Sequence, residues 1–273
     1  MHKTLLLLLL SAMTLSAQVK RVVHETFDRV PHGWSWTADY NDEALTRTCG
    51  GGSLRGTVRN GNNYWSIMYR PIDAEQEWSV SATIVLEESK TSEGMAVTVA
   101  CGDDMYYFKI SGGYRSQWVG SYNFTSKEWT NITVADARGL GDKACAAVKP
   151  NGTPNRLTVR RMQDSITFAI NDSIVETWSA DGPFDALAEK VTGFGLTFSG
   201  NVTARCEDFH ATYIEPPMPV VADAFKGVHH TFLPQFAGKG SRYPVIAPNG
   251  QQLYFIMTRD GRSDDIFVAD ALT

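Results

Sequence analysis

The sequence predicts an all-β protein, and three observations carry the prediction. Apolar and polar residues alternate with period two: in WSVSATIVLE (78–87), Val80, Ala82, Ile84 and Leu86 share one face and Ser79, Ser81 and Thr83 the other. Such runs recur at short intervals, separated by Gly, Asn, Asp and Ser, which supply positive φ or bond their own backbone in turns. Only PFDALAEK (183–190) suggests a helix, of about two turns.

The chain opens on MHKTLLLLLLSAMTLSAQ. Lys3 gives a positive end, Leu5 to Leu15 an apolar stretch too short to span a bilayer, and Ser16 and Ala17 small residues. This is the layout of a secretory signal over 1–17, cleaved before Gln18. The ending LSAQ resembles export signals of the Bacteroidetes type. The mature chain is expected to be exported, to the periplasm, the cell surface or the medium, without a transmembrane segment.

Residues 18–214 read as strand after strand. MAVTVAC (95–101) is followed by MYYFKI and YRSQWVGSY, separated by SGG, a hairpin signal. RLTVRR, SITFAI and IVETW are joined by MQD and NDS, and VTGFGLTFS and VTARCEDFHATYI flank GN. Many short strands at this spacing imply a sandwich or barrel. Composition agrees with a packed domain: 43% hydrophobic, 20% charged. A net charge of -5 with no Lys/Arg cluster argues against nucleic acid as a partner.

Four cysteines, Cys49, Cys101, Cys145 and Cys206, in an exported chain favour disulfides, with three possible pairings and no CxxC spacing for zinc. Cys49–Cys206 and Cys101–Cys145 is the preferred set, because the first and last strands of a sandwich often lie side by side.

ETFDR, GWSW, the long stretch from SEGMAVTVACGDDMYYFKI to SKEWTNI, the Asn155–Asn171 run NRLTVRRMQDSITFAIN, and the closing GFGLTFSGNVTARCEDFHATYI together resemble a concanavalin A-like (laminin G-like) jelly roll of the exported bacterial kind. The resemblance spans about residues 20–215 and implies fold more than function. After EPPMPVVADAF, a Pro-rich linker (215–228), the end of the chain (229–273) resembles a PD40, or WD40-like, blade of TolB-type β-propellers. The turn is Ala247-Pro248-Asn249-Gly250, the strands Leu253–Ile256 and Asp265–Val268, and Arg259-Asp260-Gly261 lies between them. A propeller needs about four to eight blades, so the expectation is a fragment of a longer protein, the alternative being that the segment packs on the sandwich or on a partner. The expected architecture is a concanavalin-like jelly-roll sandwich plus a partial β-propeller blade.

The chemistry of the sequence points to binding rather than catalysis. The acids of EQE (75–77), LEESK (86–90) and EDF (207–209) lack the E-x-D-x-x-E strand pattern of glycoside hydrolases on this scaffold. There is no G-x-S-x-G, and CGGGS (49–53) has no lysine or following helix for a phosphate. His229 and His230 would point to opposite faces of a strand. Asp103 and Asp104 could contribute to a Ca2+ site, which would need six to eight oxygens; no other cofactor is implied. Asn123, Asn131, Asn151, Asn171 and Asn201 head N-x-S/T sequons, and DSI occurs twice. The aromatic hairpin from Met105 to Tyr122 is the binding candidate. Alternation assigns Tyr106, Phe108 and Ile110 to the core and leaves Tyr107, Lys109, Tyr114, Arg115 and Trp118 for a ligand. Flat rings with polar tips suit a glycan. The alternative partner is an envelope protein, and the alternative role for the rings is to fill or edge the sandwich. The alternative functions are a carbohydrate-active, glycoside hydrolase-like enzyme using the jelly-roll groove and a structural envelope adaptor.

Overall fold

A computed structural model of the chain describes residues 18–31, 33–35, 39–90, 92–133, 142–179, 184, 187 and 190–216, and the backbone of 241–246, 252–259 and 263–270. The chain divides into two compact units, Met1–Met218 and Pro219–Thr273.

The strands of the first unit, in chain order, are β1 (Val19–Glu25), β2 (Tyr40–Asn41), β3 (Leu45–Gly50), β4 (Ser53–Val58), β5 (Asn63–Tyr69), β6 (Trp78–Ser89), β7 (Gly94–Cys101) and β8 (Asp104–Ser111). There follow β9 (Ser116–Asn123), β10 (Glu128–Asn131), β11 (Lys143–Ala144), β12 (Pro154–Met162), β13 (Ser165–Ile170), β14 (Ser173–Ser179), β15 (Val191–Ser199) and β16 (Val202–Glu215). They form a nine-stranded sheet, β14-β13-β12-β6-β16-β4-β3-β2 with β1 on β16, and a seven-stranded sheet, β10-β9-β8-β7-β15-β5 with β11 on β9.

The wrapping follows from those orders. β6, β16 and β4 are neighbours in one sheet, and β7, β15 and β5 are neighbours in the same order in the other. Each link β4–β5, β6–β7 and β15–β16 therefore crosses between sheets. This is a jelly-roll sandwich, the fold class expected for this part of the chain.

Alternation fills the space between the sheets. Trp78, Val80, Ile84 and Leu86 of β6 meet Phe108 of β8 and Phe194, Leu196 and Phe198 of β15 in one core. Each such side chain contributes roughly 1.5–3 kcal/mol when fully buried. Of the expected helix, Phe184, Leu187 and Lys190 lie within the described residues, and the first two belong to the core. Both are fully buried, and the Leu187 N–H donates to the Phe184 carbonyl at 2.9 Å. Phe184 packs on Trp178 with ring centroids 4.8 Å apart. The NDS turn between β13 and β14 puts Asn171 and Asp172 at φ 50° and 66°, as a two-residue I′ hairpin requires.

The alternation breaks once in β16, with a consequence taken up below. Its register to β6 shifts between Cys206 and Asp208. Cys206 and Phe209 both face the core, so Glu207 and Asp208 both face outward.

The disulfides expected from the sequence do not form; all four cysteines are free. Cys49 and Cys206 do come to one row of the sheet, but each pairs with Leu54, from opposite sides. The intervening strand holds them two steps of about 4.8 Å apart, roughly 10 Å, whereas a disulfide needs Cα atoms within about 7 Å. Cys101 lies opposite Asp104 at one end of β8, while Cys145 follows the β11 residue Ala144, which pairs Ser116 at the other end. The length of β8, roughly 23 Å at ~3.3 Å per residue, separates them.

In the second unit β17 (Ser241–Ile246), β18 (Gln252–Arg259) and β19 (Ser263–Asp270) form a three-stranded antiparallel sheet. The expected strands at 253–256 and 265–268 fall within β18 and β19. The turns at 247–250 and 260–261, and His229 and His230, lie outside the described residues. One three-stranded sheet is what is observed; it does not by itself make a propeller.

Candidate functional site

The outer face of the seven-stranded sheet carries a second, smaller apolar cluster. Tyr106, Phe108 and Ile110 of β8 point between the sheets, so Met105, Tyr107 and Lys109 point out. Outside, Met105 and Tyr107 join Ile67, Ala96 and Ala100, beneath the partly buried rings of Trp65, Trp118 and Tyr122.

The register explains the gathering. Lys109 lies opposite Trp118, Met105 opposite Tyr122, and Tyr122 opposite Trp129 of β10. Cross-strand partners share a face and touch, and the rings form a chain. Ring centroids are 5.5 Å apart for Trp65–Phe124, 5.2 Å for Phe124–Tyr122 and 4.9 Å for Tyr122–Trp129. Trp129 then lies 5.3 Å from Tyr107 and 6.0 Å from Trp118. Gly120 permits this packing: a Cβ there would come within 2.3 Å of the Trp118 ring and 2.7 Å of the Thr130 carbonyl.

Beside this layer is an open groove of about 350 Å³. Asn62, Asn63 and Trp65 contribute to its lining from one side of the sheet, and Tyr122, Phe124 and Trp129 from the other, with Tyr107 beneath. Trp129 is 49% and Phe124 38% exposed, so flat ring faces reach solvent beside the asparagines. Among the described residues, no carboxylate lines the groove.

A buried charge flanks the aromatic layer. Lys109 is 8% exposed, with Nζ 4.9 Å over the Trp118 ring and 3.8 Å from Asp142. Asp142 is itself buried and accepts a hydrogen bond from the Ser116 hydroxyl at 3.0 Å. Desolvation pulls the Lys109 ammonium below the usual lysine range, and Asp142 opposes that shift. Burial likewise raises the Tyr107 hydroxyl above its ordinary value.

Of the five residues the sequence singled out, only Tyr107 borders the groove, and as a 3% exposed floor rather than an open ring. Trp118 and Lys109 form the adjoining layer. Tyr114 is exposed in the β8–β9 turn, away from the groove lining. Arg115, at φ 47°, donates to the carbonyls of Val148 (2.8 Å) and Ala146 (3.0 Å), so its guanidinium ties down the 145–149 segment. Asp103 and Asp104 tie two turns together. Asp103 Oδ2 accepts from the Thr125 hydroxyl at 2.9 Å, and Asp104 Oδ1 from Asn123 Nδ2 at 2.8 Å.

Trp65, Phe124, Trp129, Asn62 and Asn63 escaped the sequence reading. The signal for Trp129 was present: SYNFTSKEW is a hairpin that sets Trp129 opposite Tyr122. Nothing in the sequence joins Trp65 to Phe124, because that contact spans the sheet.

No protein-family model matches the sequence, and no curated protein matches it. Solved structures resemble the chain in fold at low identity. A carbohydrate-binding module, CBM66 from Bacillus subtilis, is 10% identical over 67% of this chain and 92% of its own, with a TM-score of 0.42. A Bacillus licheniformis β-glucanase is 8% identical over 70% and 97%, with a TM-score of 0.46. Arcelin-5, a lectin-like defence protein from Phaseolus vulgaris, is 10% identical over 71% and 97%, with a TM-score of 0.44. At these values the likeness carries no argument about function, and the fold assignment rests on the strand pairing itself.

Proposed function

We propose that the outer face of the seven-stranded sheet binds a glycan and that the protein is an exported binding module. The carrying observation is the groove beside Trp129 and Phe124, where exposed ring faces stand next to the amides of Asn62 and Asn63. A sugar has apolar C–H faces that stack on rings and hydroxyls that bond amides, and the groove offers both. The rigid layer beneath holds the rings in place before a ligand arrives, which lowers the entropic cost of binding.

The groove favours binding over hydrolysis. Glycoside hydrolysis requires two carboxyl groups about 5–9.5 Å apart across the bond, and the groove lining has none among the described residues. The resemblance of residues 229–273 to a propeller blade suggests a second interaction surface in a longer protein, and the leader over 1–17 suggests export.

The test is a glycan array probed with the mature chain, followed by calorimetry on each hit. Trp129→Ala is expected to weaken binding about tenfold, corresponding to roughly 1.4 kcal/mol of lost stacking. An empty array, or a hit whose affinity Trp129→Ala leaves unchanged, would refute the reading. Release of reducing ends from a bound glycan would replace it with a hydrolase.

A further inference from the structure

The outer face of the nine-stranded sheet holds a cluster unrelated to the aromatic groove. His24 of β1 and His210 of β16 are direct cross-strand partners. Their rings stack with centroids 4.0 Å apart and planes 17° from parallel. The register shift in β16 turns Asp208 outward onto the same face, two residues before His210. His24 Nε2 lies 2.7 Å from Asp208 Oδ1, and His210 Nε2 lies 3.1 Å from Asp208 Oδ2. One ligand atom from each of the three residues fits within 4.8 Å of the others.

We infer that His24, Asp208 and His210 form a binding site for a divalent transition-metal ion, with Zn2+ the best-fitting ion. Two imidazoles and a carboxylate suit zinc and its neighbours rather than calcium or magnesium, which take oxygen ligands. Bond lengths of about 2.0–2.2 Å place adjacent ligand atoms of a metal centre roughly 2.9–3.4 Å apart. The two N···O separations already lie within tenths of an ångström of that range. Each Nε2 faces one oxygen of the same carboxylate, so the three ligand groups border one region. All three side chains are one third to one half exposed, so the remaining coordination positions open to solvent.

The site also links two parts of the fold. Among the described strands β1 pairs with β16 only, and it is largely exposed along its length. A metal held by one β1 ligand and two β16 ligands fixes that strand and stabilises the folded chain by mass action.

Equilibrium dialysis of the tag-free mature chain against ZnCl2 tests the inference. One Zn2+ per chain is expected, undiminished by excess Ca2+ and accompanied by a rise in Tm. Binding and Tm rise should both vanish in His24→Gln and in His210→Gln, and weaken in Asp208→Asn. Each variant is first checked for a wild-type circular dichroism spectrum without metal; one that fails the check is replaced by the alanine substitution at the same position. Zn2+ uptake by the His24→Gln/His210→Gln double variant equal to that of the wild type would overturn the assignment. So would no uptake by the wild type. Neither result bears on glycan binding, which uses the other sheet.

Discussion

Replacing Asn155 by alanine removes a fully buried amide that holds a loop against two strands. Its Oδ1 accepts from the Lys149 N–H at 2.8 Å and from Asn171 Nδ2 at 2.9 Å, and its Nδ2 donates to the Thr153 carbonyl at 3.2 Å. Asn171 continues the network, accepting from the Arg156 N–H at 3.0 Å and donating to the Ala147 carbonyl at 2.8 Å. In the alanine variant Asn171 keeps its Ala147 partner, while the Lys149 N–H loses the acceptor that fixes the loop. One orphaned donor costs about 1–3 kcal/mol and each further lost bond about 0.5–1.5 kcal/mol. The expected loss is therefore about 2–6 kcal/mol, or roughly 4–24 °C in Tm for a domain of this size. All seven tryptophans lie between Trp34 and Trp178, so tryptophan fluorescence during urea unfolding reports the sandwich and not the C-terminal sheet. Asn155→Asp should also destabilise, because it keeps the acceptor but turns a second acceptor on the Thr153 carbonyl. If Asn155→Ala unfolds within about 0.5 kcal/mol of the wild type, the network does not hold the loop and the reasoning fails.

Arg115→Ala should raise the rate of proteolysis within 142–153 and cost about 1–3 kcal/mol, with glycan affinity unchanged; a large affinity loss in a chain of normal stability would restore Arg115 as a ligand contact. Gly120→Ala should displace the Trp118 ring and lower both Tm and glycan affinity, and an unchanged near-ultraviolet circular dichroism spectrum would contradict the packing. Unfolding in urea without reductant should expose four thiols per chain to a thiol reagent, and fewer would mean that a disulfide forms. Stability should fall as pH rises from 9 through 11. Burial pushes Cys49 up to about 11 and raises Cys101 and Cys206 above the ordinary thiol value of 9.0, so the unfolded chain loses those protons first. Lys109 acts with the opposite sign, since its lowered pKa makes the unfolded chain bind the extra proton and stability rise with pH. The Lys109→Met variant should therefore show a steeper alkaline decline in urea midpoints than the wild type.

Much of the sandwich was legible because a strand's period is local. The alternation in 78–87 and the turns MQD, NDS and GN mark β6, β12 to β14, β15 and β16 to within a few residues of their observed bounds. The same alternation separated Phe108 from Tyr107. It could not state that Tyr107 would lie beneath Trp129, because a face that points away from one core can still be covered. The cysteines show the same limit. Cys49 and Cys206 reach one row of the sheet, yet β4 stands between them, and strand order is a long-range property.

By itself the sequence determined the all-β class, the strand faces and the break before the C-terminal segment. Each depends on residues within a few positions of one another. Only the tertiary structure decided that Trp65 and Phe124 meet across the sheet, and that His24 lies against Asp208 and His210 from the far end of the domain. Those contacts join residues 59 and 184 or more positions apart. They depend on strand order and on one shift of register, which the pairing of distant strands sets and no local pattern encodes.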